Sequence, residues 1–255
     1  MSLEIAGWLR DVGLDRLQRI PTIDIIRGIA IGGVVLFHVV WDLEFAGLID
    51  GVARHPAWLV FGRSLAGTFM VLVGVSLVLA HRGEIRWGSF SRRLGTILLA
   101  AAAITVVTRL AFPANFVYFG ILHAIAVATL IGALFLGASA LICLAVGSLV
   151  LILPLVLESS TFDMRWLAWI GFAAQPPPSN DFVPVFPWVG LTLLGMAATK
   201  WTFGWPVQSR LEQHRHPGRF ARAFAWMGRR SLLIYLVHQP ILLALILPLS
   251  WLLLQ

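Results

Sequence analysis

The stretch Asp24–Glu44, DIIRGIAIGGVVLFHVVWDLE, constrains this chain more than any other. It is apolar enough to cross a bilayer, yet it carries Asp24, Arg27, His38 and Asp42. At 100° per residue Arg27 and His38 return to nearly the same azimuth. Asp24 lies one turn before the first and Asp42 one turn after the second, so all four share one stripe of one helix. Ionisable groups inside a span are costly and turn toward protein or water, where they serve function. The stripe extends about 27 Å along the helix. It is therefore expected to wall a path across a membrane.

The rest of the chain agrees with a membrane setting. Of its 255 residues, 59% are hydrophobic and only 12% charged. A soluble domain of this composition would expose far too much apolar surface. The expected fold class is all-α, a polytopic transmembrane helix bundle of about seven spans. They are placed near 24–45, 57–80, 93–111, 118–136, 139–157, 184–201 and 231–253. The single cysteine, Cys143, sits in an apolar run, so neither a disulfide framework nor a Cys-based metal site is available.

Lys and Arg in the connections set the orientation. Fourteen lie on one side: Arg10, Arg16, Arg19, Arg82, Arg86, Arg92, Arg93, Lys200, Arg210, Arg215, Arg219, Arg222, Arg229 and Arg230. Arg54, Arg109 and Arg165 lie on the other. The positive-inside rule then puts the N-terminus inside, in a cell inner (plasma) membrane. The formal net charge of +7 thus reads as topology, and no nucleic acid is expected as partner. The whole of 1–255 reads as one membrane domain. Residues 1–23 form an inner amphipathic segment without a cleaved signal, 158–183 an outer loop and 202–230 a basic inner loop with a surface helix near 218–227. Within the outer loop, Arg165–Phe172 reads as a short interfacial or re-entrant helix, followed by the rigid QPPPSND segment.

Depth along the spans gathers the polar residues into two groups. An outer group holds His38, Asp42, His55, Arg63, His123, Asn180 and Asp181. An inner group holds Asp24, Arg27, Ser231, Tyr235, His238 and Gln239, next to Arg229 and Arg230. Asp42 is expected to orient His38 as a base–orienter pair, or else to serve as a helix-stabilising partner. Arg63 and Asn180 are candidates to stabilise a developing oxyanion, and Arg63 equally to neutralise Asp42. Arg27, Arg229 and Arg230 could meet phosphates, while Arg27 with Asp24 equally reads as an interfacial ion pair. No HExxH or comparable spacing supports a metal, so none is expected.

Several ordered motifs carry a resemblance. RGIAI opens the first span, HPAW precedes a span containing LVGVS, FGILHAI opens another, and PSNDFVPVFPWVG precedes the sixth. Together they resemble the catalytic domain of the heparan-α-glucosaminide N-acetyltransferase family, and the tail GRRSLLIYLVHQPIL is similar to the last span of the broader transmembrane acyltransferase group. The chain is identified as a short bacterial-type member. The resemblance implies transfer of an acetyl group from acetyl-CoA, a co-substrate and not a bound cofactor, on the cytoplasmic side. An amino sugar or other envelope acceptor receives it on the outer side. The implied partners are the bilayer, the acyl-CoA and that acceptor, with a homodimer left open. The family's catalytic histidine corresponds to His55 of HPAW, while the polar stripe points to His38, and both stand. The alternative function is a proton- or ion-coupled transporter, since proton relays also use intramembrane His, Asp and Arg.

Overall fold

A computed structural model describes residues 20–81, 85–203 and 218–253. The expected amphipathic segment before residue 20 and residues 204–217 of the 202–230 loop lie outside these residues. Nine α-helices and two short 3-10 turns follow one another, with no named strand among the described residues. They are α1 Pro21–Phe45, α2 Pro56–Ala80, α3 Trp87–Ala111, α4 Ile121–Leu134, α5 Ala140–Ile152, α6 Arg165–Ala168, α7 Val185–Phe203, α8 Arg219–Arg229 and α9 Ser231–Leu253. Proline starts α1 and α2, where its missing N–H costs nothing. Ser139 caps α5 by accepting from the Ile142 N–H.

Among the described residues α1, α2, α3 and α9 are long and apolar enough to cross a membrane. The α4 and α5 helices are shorter than expected, at 14 and 13 residues. Residues 118–120 leave the expected span because Phe119 is extended and bridges Phe182. The expected interfacial helix shrinks to the single turn α6. Large apolar side chains cover the outward surfaces, among them Leu99, Leu110, Leu134 and Trp251. In water such a belt would be an aggregation hazard; in lipid it is ordinary.

Helix α7 is central, with α2 and α5 packed closely along it and α4 beside it. Glycines permit this. An added Cβ on Gly74 would fall onto the Thr192 carbonyl oxygen, and one on Gly195 onto that of Val71. The Thr192 hydroxyl donates to the Met70 carbonyl at 2.9 Å in the same fully buried layer. A second backbone crossing joins α1 to α8. A Cβ on Gly28 would meet the Phe224 carbonyl, and one on Gly228 that of Asp24. The surface helix expected near 218–227 is thus present but fastened along α1. The Lys200 ammonium donates to the carbonyls of Phe135, Leu136 and Ala138 and so closes the C-terminal end of α4.

Candidate functional site

One cavity of about 1240 Å³ runs through the bundle between α1, α2, α3, α4, α9 and the 176–188 segment. At the end where α1 begins (the near end) it is lined by Arg27, Ser89, Arg92, Arg93 and Arg229. At the end where α1 finishes (the far end) it is lined by Arg63, Pro176, Asn180 and Asp181. His38, Tyr235 and apolar side chains such as Ile31, Phe69 and Ile97 line it between. The periodicity of α1 explains two of these positions, since Arg27 and His38 share a face.

The far wall is stitched from two connections. The Asn180 N–H donates to the Asn115 carbonyl at 2.8 Å, and the Val183 N–H to that of Phe119 at 3.1 Å. The Tyr118 hydroxyl donates to the Pro177 carbonyl at 3.1 Å. This holds Asp181 over the start of α4, where its Oδ2 accepts from the Ile121 N–H at 2.9 Å and the Tyr235 hydroxyl at 3.2 Å. Burial pushes the Asp181 carboxyl above the usual carboxylate range, and those two donors pull it partly back. A carboxylate on a helix N-terminus also gains from the helix dipole.

The near end concentrates positive charge. Arg27 pairs with Asp24 at 3.3 Å and donates to the Ser76 hydroxyl at 3.0 Å, tying α1 to α2. It is the one arginine with a carboxylate partner among the described residues. Arg92 and Arg93, which in the sequence speak only for orientation, both line the cavity. A pair of arginines at the start of a span carries no sign that it faces a cavity, because positive-inside topology alone would place it there. Arg230 departs from expectation, for its guanidinium lies 4.6 Å over the Trp226 ring and does not line the cavity.

The expected His38–Asp42 pair is replaced by two contacts between helices. His38 Nδ1 lies 2.9 Å from the Val34 carbonyl and 3.3 Å from His238 Nε2. Asp42, fully buried, accepts from the Gln239 amide at 2.6 Å, and its other oxygen has no partner among the described residues. Tyr235, His238 and Gln239 therefore do not belong to the inner group that depth counting gave them. They meet Asp181, His38 and Asp42, because α9 packs along α1 and the 176–184 segment reaches into the bundle. Arg63 forms no ion pair with Asp42.

His55 and His123 also depart from the expected cluster. His55 is the exposed N-cap of α2, accepting from the Ala57 N–H at 3.3 Å. It lines a separate hollow of about 620 Å³ with Asp50, Trp58 and Phe61. Phe37, which lines the main cavity with His38, stacks with centroids 5.7 Å apart on Trp58, which lines the hollow with His55, so His38 and His55 line different spaces. His123 Nδ1 accepts from the Gly120 N–H at 3.2 Å, and its Nε2 lies 3.3 Å from the Thr105 hydroxyl. It braces the α3–α4 turn behind the cavity wall.

Residues 19–240 match the family described as heparan-alpha-glucosaminide N-acetyltransferase, catalytic. The chain belongs to this family. No curated protein and no solved structure matches it. For a member of the heparan-alpha-glucosaminide N-acetyltransferase catalytic family, membership points to a membrane acetyltransferase. Of the motifs that carried the resemblance, RGIAI, FGILHAI, PSNDFVPVFPWVG and the tail all contribute residues to the main cavity, and HPAW contributes to the hollow behind Phe37.

Proposed function

We propose that this protein transfers an acetyl group from acetyl-CoA, entering at the near end of the cavity, to an amine acceptor at the far end. In this reading seven helices cross the plasma membrane, with the N-terminus and the near end on the cytoplasmic side. The arginine asymmetry supports that orientation. The acceptor is an amino sugar or another amine of the cell envelope. The observation that carries the reading is the single cavity with four arginines at one end, a carboxylate and an amide at the other, and an imidazole between.

The chemistry follows from the residues. Diphosphate and ribose phosphate suit guanidinium groups, which bind them by charge-assisted and often bidentate hydrogen bonds. His38 takes the proton that the acceptor ammonium must lose. The free amine attacks the thioester carbonyl, a C–N bond forms, the C–S bond breaks, and the thiolate leaves and is protonated. One proton per amide is released overall. In this reading Arg63 and Asn180, which line the same cavity, stabilise the oxyanion of the tetrahedral intermediate. A general base contributes about 10²–10⁴-fold, so His38→Ala should lose most of the rate.

The test begins with the donor. Acetyl-CoA should raise the Tm of the purified protein, and the shift should vanish when Arg92 and Arg93 are both replaced by Gln. Absence of any acetyl-CoA stabilisation, together with proton flux in proteoliposomes lacking an acyl donor, would establish a transporter instead. Transfer of labelled acetyl to glucosamine, supplied on the opposite face of sealed vesicles, then tests the chemistry.

A further inference from the structure

The two imidazoles at the α1–α9 crossing define each other's protonation. A backbone carbonyl can only accept a hydrogen bond. His238 Nδ1 lies 2.7 Å from the Tyr235 carbonyl, so it carries the ring's proton and donates there. In a neutral His238 the Nε2 is then a bare lone pair. That lone pair faces His38 Nδ1 at 3.3 Å, and the same Nδ1 lies 2.9 Å from the Val34 carbonyl. His38 must therefore hold its proton on Nδ1, shared between Val34 and His238, and keep its own Nε2 bare. The rings are set for this, with centroids 4.7 Å apart at 71°.

We propose that His238 is a positioning and proton-sharing residue for His38, which rests on the reading of His38 as the base above. When His38 Nε2 takes a proton from the acceptor ammonium, the ring becomes an imidazolium whose Nδ1–H already points at a strong acceptor. The His238 lone pair spreads that positive charge across two rings inside a low-dielectric bundle, where an unshared charge is most costly. No atom is gained or lost in the sharing: the proton stays between the two nitrogens until product leaves and His38 Nε2 releases the proton it took. His238 itself is 7% exposed and is absent from the cavity lining, so it acts through His38 and not on substrate. Gln239, the next residue, is bonded to Asp42 at 2.6 Å and pins the crossing at the register that makes the two rings meet. Of the other titratable groups, Tyr235 on α9 packs on His238 with ring centroids 5.6 Å apart, Asp42 lies one turn beyond His38 on α1, and Arg63 on α2 lines the same cavity as His38.

The experiment compares His238→Leu with His238→Gln in the full-length protein in nanodiscs. Leucine fills similar space without an acceptor; the glutamine carbonyl can still accept from His38 Nδ1. In acetyl transfer from acetyl-CoA to glucosamine, kcat should fall on the order of 10-fold or more with leucine, a part of the general-base contribution. The KM for acetyl-CoA should not change, and glutamine should restore most of kcat. In parallel, ¹⁵N-histidine NMR reads the pair without any reaction, His38→Ala serving to assign the His38 signals. The protonation midpoint of His38 should shift to lower pH with leucine and recover with glutamine. An unmoved midpoint, or equal kcat in the two variants where His38→Ala is itself impaired, overturns the proposal. If His38→Ala is as active as the native chain while the midpoints shift as expected, the sharing stands and the assignment of His38 as the base falls.

Discussion

Asp42 and Gln239 are joined by a 2.6 Å hydrogen bond where the first and last long helices cross, and Asp42 is wholly closed to solvent. With Gln239→Leu the buried carboxyl loses its one bond. An unsatisfied buried group costs about 1–3 kcal/mol, more if charged. Asp42→Asn keeps an amide partner for Gln239 and should cost less. Thermal unfolding of the purified protein checks the order, and equal Tm values for the two variants would remove this bond from the list of fold determinants.

The two candidate histidines line different spaces, His38 the main cavity and His55 the hollow beside Trp58. Acetyl transfer should fall about 10²-fold or more in His38→Ala, as expected for loss of a base. His55→Ala should retain most activity and lose only a part of a helix cap, about 0.5–2 kcal/mol for well-made caps. If His55→Ala at equal folded protein abolishes transfer and His38→Ala does not, the reaction belongs to the hollow behind Phe37.

Arg92, Arg93 and Arg229 line the near end, while Arg230 is occupied by the Trp226 ring. Replacing Arg92 or Arg229 by Gln should raise the KM for acetyl-CoA with kcat nearly unchanged, the signature of lost uniform binding. Arg230→Gln should do little. A KM effect confined to Arg230 would mean that the donor approaches along the outside of α8.

Tyr118 gives a pH test outside the helices. Burial pushes its hydroxyl up to about 12, against a smaller downward pull from Arg165. The unfolded chain releases this proton near pH 10, roughly the ordinary tyrosine value. Stability should therefore be unaffected by Tyr118 below that value and fall as pH rises from there toward about 12. Tyr118→Phe should remove this part of the decline, measured as the difference between the two unfolding curves. Parallel pH dependence in both proteins would contradict it.

The helices were legible because apolar runs and their turn residues are local properties of sequence. The stripe on α1 was also legible, since helical periodicity puts Arg27 and His38 on one face, and both line the cavity. What could not be read is who meets whom across helices. Within one helix the sequence offers His38 and Asp42 only each other; the actual partners, His238 for His38 and Gln239 for Asp42, lie about two hundred residues away on α9, and no local pattern says that α9 packs against α1. Nor did the sequence show that Asp181 would be carried down to Tyr235. That depends on backbone bonds between the 115–119 and 180–183 segments, which no side-chain pattern announces.

The backbone contact at Gly28 and Gly228 makes the mouth of the cavity lopsided. Arg27 and Arg229 ride on helices with no side-chain cushion between them at the crossing, so that jamb behaves as a single post. Arg92 and Arg93 ride on α3, which meets its neighbours through side chains, with Ile97, Ala100 and Ala101 packed among Leu122 and Ala126 of α4 and Leu232 and Leu236 of α9. The two jambs of the opening thus differ in kind: one is set backbone against backbone, the other rests on interleaved side chains, and a change of side-chain volume is felt at the second before the first.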